Sequence, residues 1–321
     1  MTRQSNLRYR STTEHYNLSM PPLPGKFTQT ILELHGAQGQ AWLASLPELI
    51  SLCARRWSLT ILPPFPLSYH YVAPAVDASG GQYVLKLGVP DPILADEIAA
   101  LRHFAGGGAA RLAYGDAQAG VLLIERLLPG RRLSEFVDDE EATRIAAGVM
   151  RQLWKAPPVE YNFPTVARWA AGLKRLRAEF AGGCGPFPAA LVERAESLFA
   201  ELLPSSADPV LLHGDLHQEN ILYDQQRGWL AIDPQGVIGE PAFEPGALLY
   251  NPLPHIAAWP DLPRVLSRRL DLLAETLNLD RQRLHGWGLA RAVLSGWWDY
   301  EDHGHGWEAV IAIAEVLTQI M

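Results

Sequence analysis

Four polar residues could do chemistry together: His213, Asp215, Asn220 and Asp233. Three lie in the stretch Val210-Leu-Leu-His-Gly-Asp-Leu-His-Gln-Glu-Asn-Ile-Leu-Tyr-Asp224, and the fourth follows in Gly228-Trp-Leu-Ala-Ile-Asp-Pro234. Asp215 and Asn220 are five positions apart, and Asp233 follows Asp215 by eighteen. Phosphoryl transfer needs such a set. One carboxylate orients or deprotonates a hydroxyl, while an amide oxygen and a second carboxylate hold Mg²⁺ against nucleotide phosphates. His213-x-Asp215-x-His217 also has metal-ligand chemistry, so a metal hydrolase is a rival reading. Such sites draw on further ligands, and His255 and His285 sit in no recognisable ligand motif. Taken alone, Asp215 could cap a turn and Asn220 could open a strand.

The flanking elements decide whether these side chains can meet. Val210 to Leu212, Asn220 to Tyr223 and Trp229 to Ile232 are short apolar runs that predict strands beside the polar residues. Upstream, Ser68 to Val76 and Gln82 to Leu87 predict two strands around the turn Asp77-Ala-Ser-Gly-Gly81, with Lys86 near the end of the second. Asp91-Pro92 then opens a helix, as N-cap and first-turn proline. Ile93, Leu94, Glu97, Ile98, Leu101 and Phe104 follow at helical spacing, and Gly106-Gly-Gly108 ends the run. Glu97 falls on the apolar stripe, where a carboxylate must find a partner or lose its solvation. Lys86 is the natural partner; Asp96 points elsewhere.

The pattern H-x-D-x-x-x-x-N followed by Ile-Asp resembles the catalytic and metal loops of kinases. Protein kinases carry H-R-D and D-F-G; here the words are His213-Gly214-Asp215 and Ile232-Asp233-Pro234. They are similar to those of the aminoglycoside phosphotransferase family and its choline-kinase and fructosamine-kinase relatives. Ser68-Tyr-His-Tyr-Val, Val84-Leu-Lys-Leu and the Trp-rich end look most like its streptomycin 6-kinase and hydroxyurea kinase branch. The resemblance implies an α+β, protein-kinase-like bilobal fold, with a small antiparallel-sheet lobe and a larger, mainly helical lobe. It implies Asp215 as the catalytic carboxylate, Asn220 and Asp233 as Mg²⁺ ligands, and Lys86, held by Glu97, on the ATP phosphates. G-x-G-x-x-G is missing, so Ser68 and Tyr69, in Ser68-Tyr-His-Tyr71, are expected to cover the phosphates. Gly120 to Gly130 is the expected hinge, with adenine at backbone groups near Glu125 to Leu127. Gly236 to Gly246 resembles the family's Gly-x-Pro-x-x-Asp segment, with Glu244 at the acidic position bracing the catalytic loop.

The second lobe is expected to be helical over Asp138 to Lys155, Thr165 to Phe180, Pro188 to Leu203, Leu284 to Trp298 and Trp307 to Ile320. In the first lobe, a helix over Ala41 to Arg55 and a strand over Trp57 to Leu62 are expected. Asp299, Glu301 and Asp302 crowd a turn near a helix carboxy-terminus, the unfavourable end for negative charge. Two readings stand for them: with adjacent tryptophans they receive a cationic substrate, or they form a solvated interhelix turn in which one acid caps the next helix. The expected division is an arm over residues 1–26, a nucleotide lobe over 27–127 and a catalytic and substrate lobe over 128–321.

Composition agrees with an enzyme. The chain is 48% hydrophobic and 19% charged, enough for a large core, and its net charge of −8 disfavours nucleic acid as a partner. No apolar run approaches a membrane span, and the first twenty residues have no signal-like apolar core. Cys53 and Cys184 form no Cys-x-x-Cys motif and read as reduced thiols, so a cytoplasmic location is expected. The expected function is an ATP-dependent kinase of a small hydroxylated, aminoglycoside-like cation. Kinases of choline, homoserine, a thio-sugar or a ketosamine are alternatives, as is a nucleotide-binding module without catalysis.

Overall fold

The computed structural model describes residues 22–206 and 208–320. Most of the expected arm therefore lies outside the described residues. The first helix, α1, spans Gly25–Trp57 and breaks at Gly36 (φ +52°). It is much longer than the expected 41–55, and it runs through Pro47 because Phe27, Ile31, Trp42, Leu46, Ile50 and Cys53 anchor it to the core. Trp57 belongs to this helix. Arg55 and Arg56 in the last turn suit its dipole and Ser58 ends it in the left-handed region, so the expected strand shrinks to β1, Thr60–Ile61.

Strands β2 (Tyr71–Val76) and β3 (Gln82–Leu87) follow, then helix α2 (Pro92–Phe104), β4 (Leu112–Asp116) and β5 (Val121–Glu125). β4 was not foreseen from the sequence. The sheet order is β1-β2-β3-β5-β4, and every pairing is antiparallel. Alternation along the strands sends Tyr71, Ala73, Ala75, Leu85, Leu87, Val121 and Leu123 into one cluster with α1. Leu122 and Ile124 face the other way, into the cluster that contains α2. Lys86 lies opposite Leu122 in the register and shares its face. A period of two thus directs this lysine away from α1 and toward α2. Asp91 caps α2 as expected, accepting a hydrogen bond from Leu94 N–H at 2.7 Å.

Beyond Glu125 the chain passes through β6 (Pro129–Arg132) into α3 (Asp139–Leu153), capped by Asp138. The expected helix over 165–180 is two short ones, α4 (Val166–Ala170) and α5 (Gly172–Glu179); α6 is Ala189–Leu202. β7 (Val210–Leu212) pairs with β10 (Val237–Gly239), and β8 (Ile221–Asp224) with β9 (Gly228–Ala231) and β6. The remaining helices are α7 (Gly246–Leu249), α8 (Leu262–Leu277), α9 (Arg281–His303) and α10 (Glu308–Leu317). α9 runs through the core and buries Trp287, Leu289, Val293, Leu294 and Trp297. Both cysteines are free and buried. No helix among the described residues is long and apolar enough to cross a membrane.

Candidate active site

The catalytic loop is the link from β7 to β8, and it is tied down from several directions. His213, fully buried, donates from Nε2 to Ile232 O at 2.8 Å and accepts Asp215 N–H on Nδ1 at 3.2 Å. Both ring nitrogens are spent within the protein, which removes His213 from any metal-ligand set and with it the metal-hydrolase reading. Burial pushes its pKa down to about 4, so the ring is neutral, as the two hydrogen bonds require. It buttresses the loop.

Glu244, fully buried, accepts His213 N–H at 2.6 Å and Gly214 N–H at 3.0 Å. The sequence expectation of a brace is met in geometry. Burial pushes the Glu244 carboxyl up to about 7, with Arg291 and the two N–H groups opposing that.

Asp215 emerges at the end of this braced segment. Its Oδ2 lies 3.5 Å from His217 Nε2, and its Oδ1 3.6 Å from Arg291 Nη2. Burial alone would raise its pKa, but His217 and then Arg291 more than offset this and hold it at about 2. Asn220 donates from Nδ2 to Asp215 O at 2.9 Å, so its amide is oriented by the loop it serves. Ile232 N–H donates to Asn220 O at 2.9 Å, which fastens the strand end before Asp233 to the same loop. Asp233 itself sits in the left-handed region, φ +57°. An Asp tolerates this better than most residues, but it is an uncommon conformation, and rarer still before proline.

Lys86 and Glu97 meet as expected, Nζ to Oε1 at 2.8 Å, and each is about 5% exposed or less. Lys86 Nζ also reaches Asp233 Oδ1 at 3.1 Å. Burial alone would drive the lysine toward neutrality, but Asp233 and Glu97 outweigh it and keep the ammonium charged. Glu97 is pushed up to about 7 by burial, against the pull of Lys86. Removing one member of such a buried pair leaves the other uncompensated, at a cost of about 3–5 kcal/mol.

At the expected hinge, Glu125 N–H donates to Arg111 O at 2.9 Å, and the Glu125 carboxylate receives Arg111 N–H at 2.8 Å and the Arg227 guanidinium. Arg126 N–H donates to Gln82 O at 3.1 Å. Leu127 N–H has no protein acceptor among the described residues.

Of the loop expected over the phosphates, Ser68 and Tyr69 are exposed, and the Tyr69 hydroxyl lies 3.0 Å from His303 Nε2, across the cleft at the end of α9. The residue of this loop that feels Lys86 and Asp233 is His70. Burial and then Lys86 push its pKa down to about 3, so it is neutral.

The acidic cluster differs from the expected turn. α9 continues to His303, and Asp299, Glu301 and Asp302 lie in its last turns, with Gly304 as left-handed cap. Glu301 is not free for a ligand: Arg175 grips both its oxygens at 2.6 Å. Asp299 borders a cavity of about 400 Å³, with Leu253, Pro254, His303, His305, Gly306 and Ala309. Burial pushes Asp299 up to about 6, and Asp302 and Asp215 push in the same direction, which places Asp299 within electrostatic reach of the catalytic loop. The tryptophans beside the cluster pack inward: Trp297 is buried, and Trp298 lies edge-on to Trp169.

The sequence matches the family described as aminoglycoside/hydroxyurea antibiotic resistance kinase over residues 69–303. It is 33% identical to a streptomycin 6-kinase of Streptomyces griseus over 96% of this chain and 99% of that one. It is 34% identical to a hydroxyurea phosphotransferase of Kitasatospora aureofaciens over 92% of this chain and 85% of that one. The chain belongs to the aminoglycoside/hydroxyurea antibiotic resistance kinase family. Like other kinases of this family it is a phosphotransferase acting on a hydroxyl group. A solved amicoumacin kinase, in complex with AMP-PNP, Ca²⁺ and Ami, is similar in fold: TM-score 0.59 at 15% identity, over 85% of this chain and 93% of that one. The kinase fold thus arranges Lys86, Glu97, Asp215, Asn220 and Asp233 around one cleft.

Two residues of this kinase escaped the sequence reading. Arg291 is 1% exposed and lies beneath the catalytic loop. A cation inside the apolar run Leu284 to Trp298 was the available signal, by the same logic that marked Glu97. His217 enters the sequence reading only in the rival metal-ligand triplet; it sits between Asp215 and Asn220, 3.3 Å from Asn220 Nδ2.

Proposed function

We propose that this kinase transfers the γ-phosphate of ATP to a hydroxyl of a streptomycin-type aminoglycoside, with Mg²⁺ as the metal. The observation that carries the reading is the buried junction of Lys86 with both Glu97 and Asp233, close to an Asp215 kept anionic. Asp215 accepts the hydrogen of the acceptor hydroxyl and aims its oxygen. Lys86, fixed in direction by Glu97, binds the α/β-phosphates. Leu127 N–H, with no acceptor among the described residues, is the hinge donor for adenine, beside the backbone of Glu125. Tyr69 closes the acceptor side through His303, so in this reading Ser68 is left as the hydroxyl over the phosphates.

The Asn220 amide oxygen and the Asp233 carboxylate are hard oxygen donors, and the half-exposed Asp233 side chain opens on the cleft, so this donor set fits Mg²⁺. That ion supplies charge neutralisation between the phosphates when bound. The residues around it contribute position and charge, the main sources of rate in phosphoryl transfer.

The acceptor is placed against Asp299 and Asp302, which are not gripped as Glu301 is. A cation held there is within electrostatic reach of Asp215. Identity over nearly the whole length of a streptomycin 6-kinase favours streptomycin or an acceptor like it. The similar identity to a hydroxyurea phosphotransferase favours a much smaller neutral acceptor as the second reading. Measuring ATP consumption with streptomycin, hydroxyurea, choline and homoserine in parallel, with product mass, separates them. Streptomycin is expected to give a monophosphorylated product at the highest kcat/KM; turnover of hydroxyurea alone would favour the second reading, and turnover of choline or homoserine alone would overturn both.

A further inference from the structure

We propose that Arg291 is a positioning residue for phosphoryl transfer: from α9 it clamps the Gly214 carbonyl and thereby fixes the direction in which Asp215 presents its carboxylate. The inference rests on Asp215 as the acceptor of the hydroxyl hydrogen. Three observations carry it.

First, Gly214 is held at both ends, by a buried carboxyl and a buried guanidinium. Its N–H donates to Glu244 Oε1 at 3.0 Å, and its C=O accepts from Arg291 Nη2. Gly214 has φ +88°, and a Cβ there would lie 2.8 Å from Trp169 Cη2, so the residue can be neither turned back nor enlarged without moving Trp169. Glu244 grips the peptide before Gly214 and Arg291 the peptide after it, which leads directly into Asp215.

Second, Arg291 is itself immobilised. Its Nε donates to the Tyr250 hydroxyl at 3.1 Å, and its guanidinium carbon lies 5.0 Å from the Phe243 ring and 5.7 Å from the Trp169 ring. Gly246 admits it, since a Cβ at that position would stand 2.6 Å from Arg291 Cδ. Trp169, which walls in Gly214, also flanks the guanidinium, so clamp and clamped residue share one packing unit.

Third, Arg291 Nη2 stands 3.6 Å from Asp215 Oδ1, outside hydrogen-bond reach. The guanidinium therefore lowers the Asp215 pKa through space and fixes its direction through Gly214, without consuming the lone pair that the acceptor hydroxyl needs. Without it the Gly214 carbonyl is buried without its partner, and the loop is free to shift. Displacements of about 1 Å at a reacting group cost on the order of 10²-fold in rate.

The test compares Arg291→Met, which keeps the bulk, and Arg291→Lys, which keeps the charge, with wild type in steady-state kinetics for ATP and for the acceptor that the panel identifies. Folding of each is checked by circular dichroism and by nucleotide affinity. Arg291→Met is expected to lose about 10²-fold in kcat with both KM values within about threefold of wild type, the signature of an interaction that matters at the transition state. Arg291→Lys is expected to recover about tenfold of that loss, because an ammonium reaches one acceptor but not the Gly214 carbonyl and Tyr250 hydroxyl together. A folded Arg291→Met with kcat within about threefold of wild type, or a loss that appears in the KM values, overturns the proposal. If the Met variant does not fold, the Lys variant decides alone: wild-type kcat overturns the clamp, and a loss of about tenfold at unchanged KM supports it. Asp215→Ala run alongside keeps the premises apart, since activity in that variant would remove the Asp215 assignment, whereas its loss together with full activity in Arg291→Met would remove the clamp only.

Discussion

The two sides of the cleft are built differently. On the side proposed for the nucleotide, Lys86 is buried against Glu97 and Asp233 at 2.8 and 3.1 Å, and Asp215 stands on a loop whose N–H groups, carbonyl and histidine ring are all engaged. On the side proposed for the acceptor, Asp299 is only partly buried, Asp302 and Tyr69 are exposed, and the ion pair of Arg175 with Glu301 engages one of the acids. The first side is rigid because desolvated charges must be paired and held. The second keeps its charges near water, where each pair contributes about 1 kcal/mol or less and can be rearranged. Such a division suits an enzyme that always binds the same phosphates but must fit a particular acceptor.

The largest effect that could break this comparison is at Asp215. Asp215→Ala is expected to lower kcat by about 10³-fold or more while ATP affinity, measured by calorimetry, stays within about threefold. More than a tenth of the wild-type rate would show that another residue orients the hydroxyl.

Next comes Glu97→Gln. It leaves Lys86 with Asp233 alone, so the melting temperature should fall by several degrees, as expected for a loss of about 3 kcal/mol in a buried pair, and the KM for ATP should rise more than that for the acceptor. An unchanged melting curve would mean that the pair is not the structural anchor of the nucleotide side.

Smaller still is Asp233→Asn. The amide keeps the shape but weakens the hard-metal ligand, so nucleotide affinity should fall about tenfold at low Mg²⁺ and recover in part as Mg²⁺ is raised. Titrating the metal against nucleotide affinity checks this; a metal dependence identical to wild type would move the ion elsewhere.

These contrasts also explain what was legible in the sequence. Asp215, Asn220 and Asp233 fall on the continuous segment from β7 to just beyond β9, so their spacing, together with the family resemblance, was enough to propose them as one group. Lys86 and Glu97 were paired from the sequence because a carboxylate on the apolar stripe of α2 had to find a cation. Arg291 obeys the same rule on α9, but its partners are a backbone carbonyl and a tyrosine hydroxyl, and neither leaves a mark in the sequence. The acceptor side was read less well for a related reason. Arg175 reaches Glu301 from another helix, and Tyr69 reaches His303 over 234 positions, so the neutralisation of one acid and the bridge over the cavity exist only in three dimensions. The helix ends were misjudged where tertiary contacts outweighed local signals, as at Pro47 inside α1 and at the continuation of α9 through the acidic residues.

The smallest single-residue effects, and the sharpest test of the two-sided account, lie at Asp299 and Asp302. Burial pushes Asp299 up to about 6, so its charge should be lost as the pH falls through that range. A cationic acceptor should therefore bind less well below that pH. The decisive measurement is the KM for acceptor and for ATP in wild type and in the double variant Asp299→Asn/Asp302→Asn, at low and high salt and at pH 5.5 and 7.5. The account predicts a wild-type acceptor KM that rises with salt and with acidity, rises about tenfold in the double variant, and there loses most of its dependence on both, while the KM for ATP moves by less than about twofold throughout. An acceptor KM in the double variant equal to that of wild type at low salt and pH 7.5, or an ATP KM that shifts in step with it, would contradict the division of the cleft.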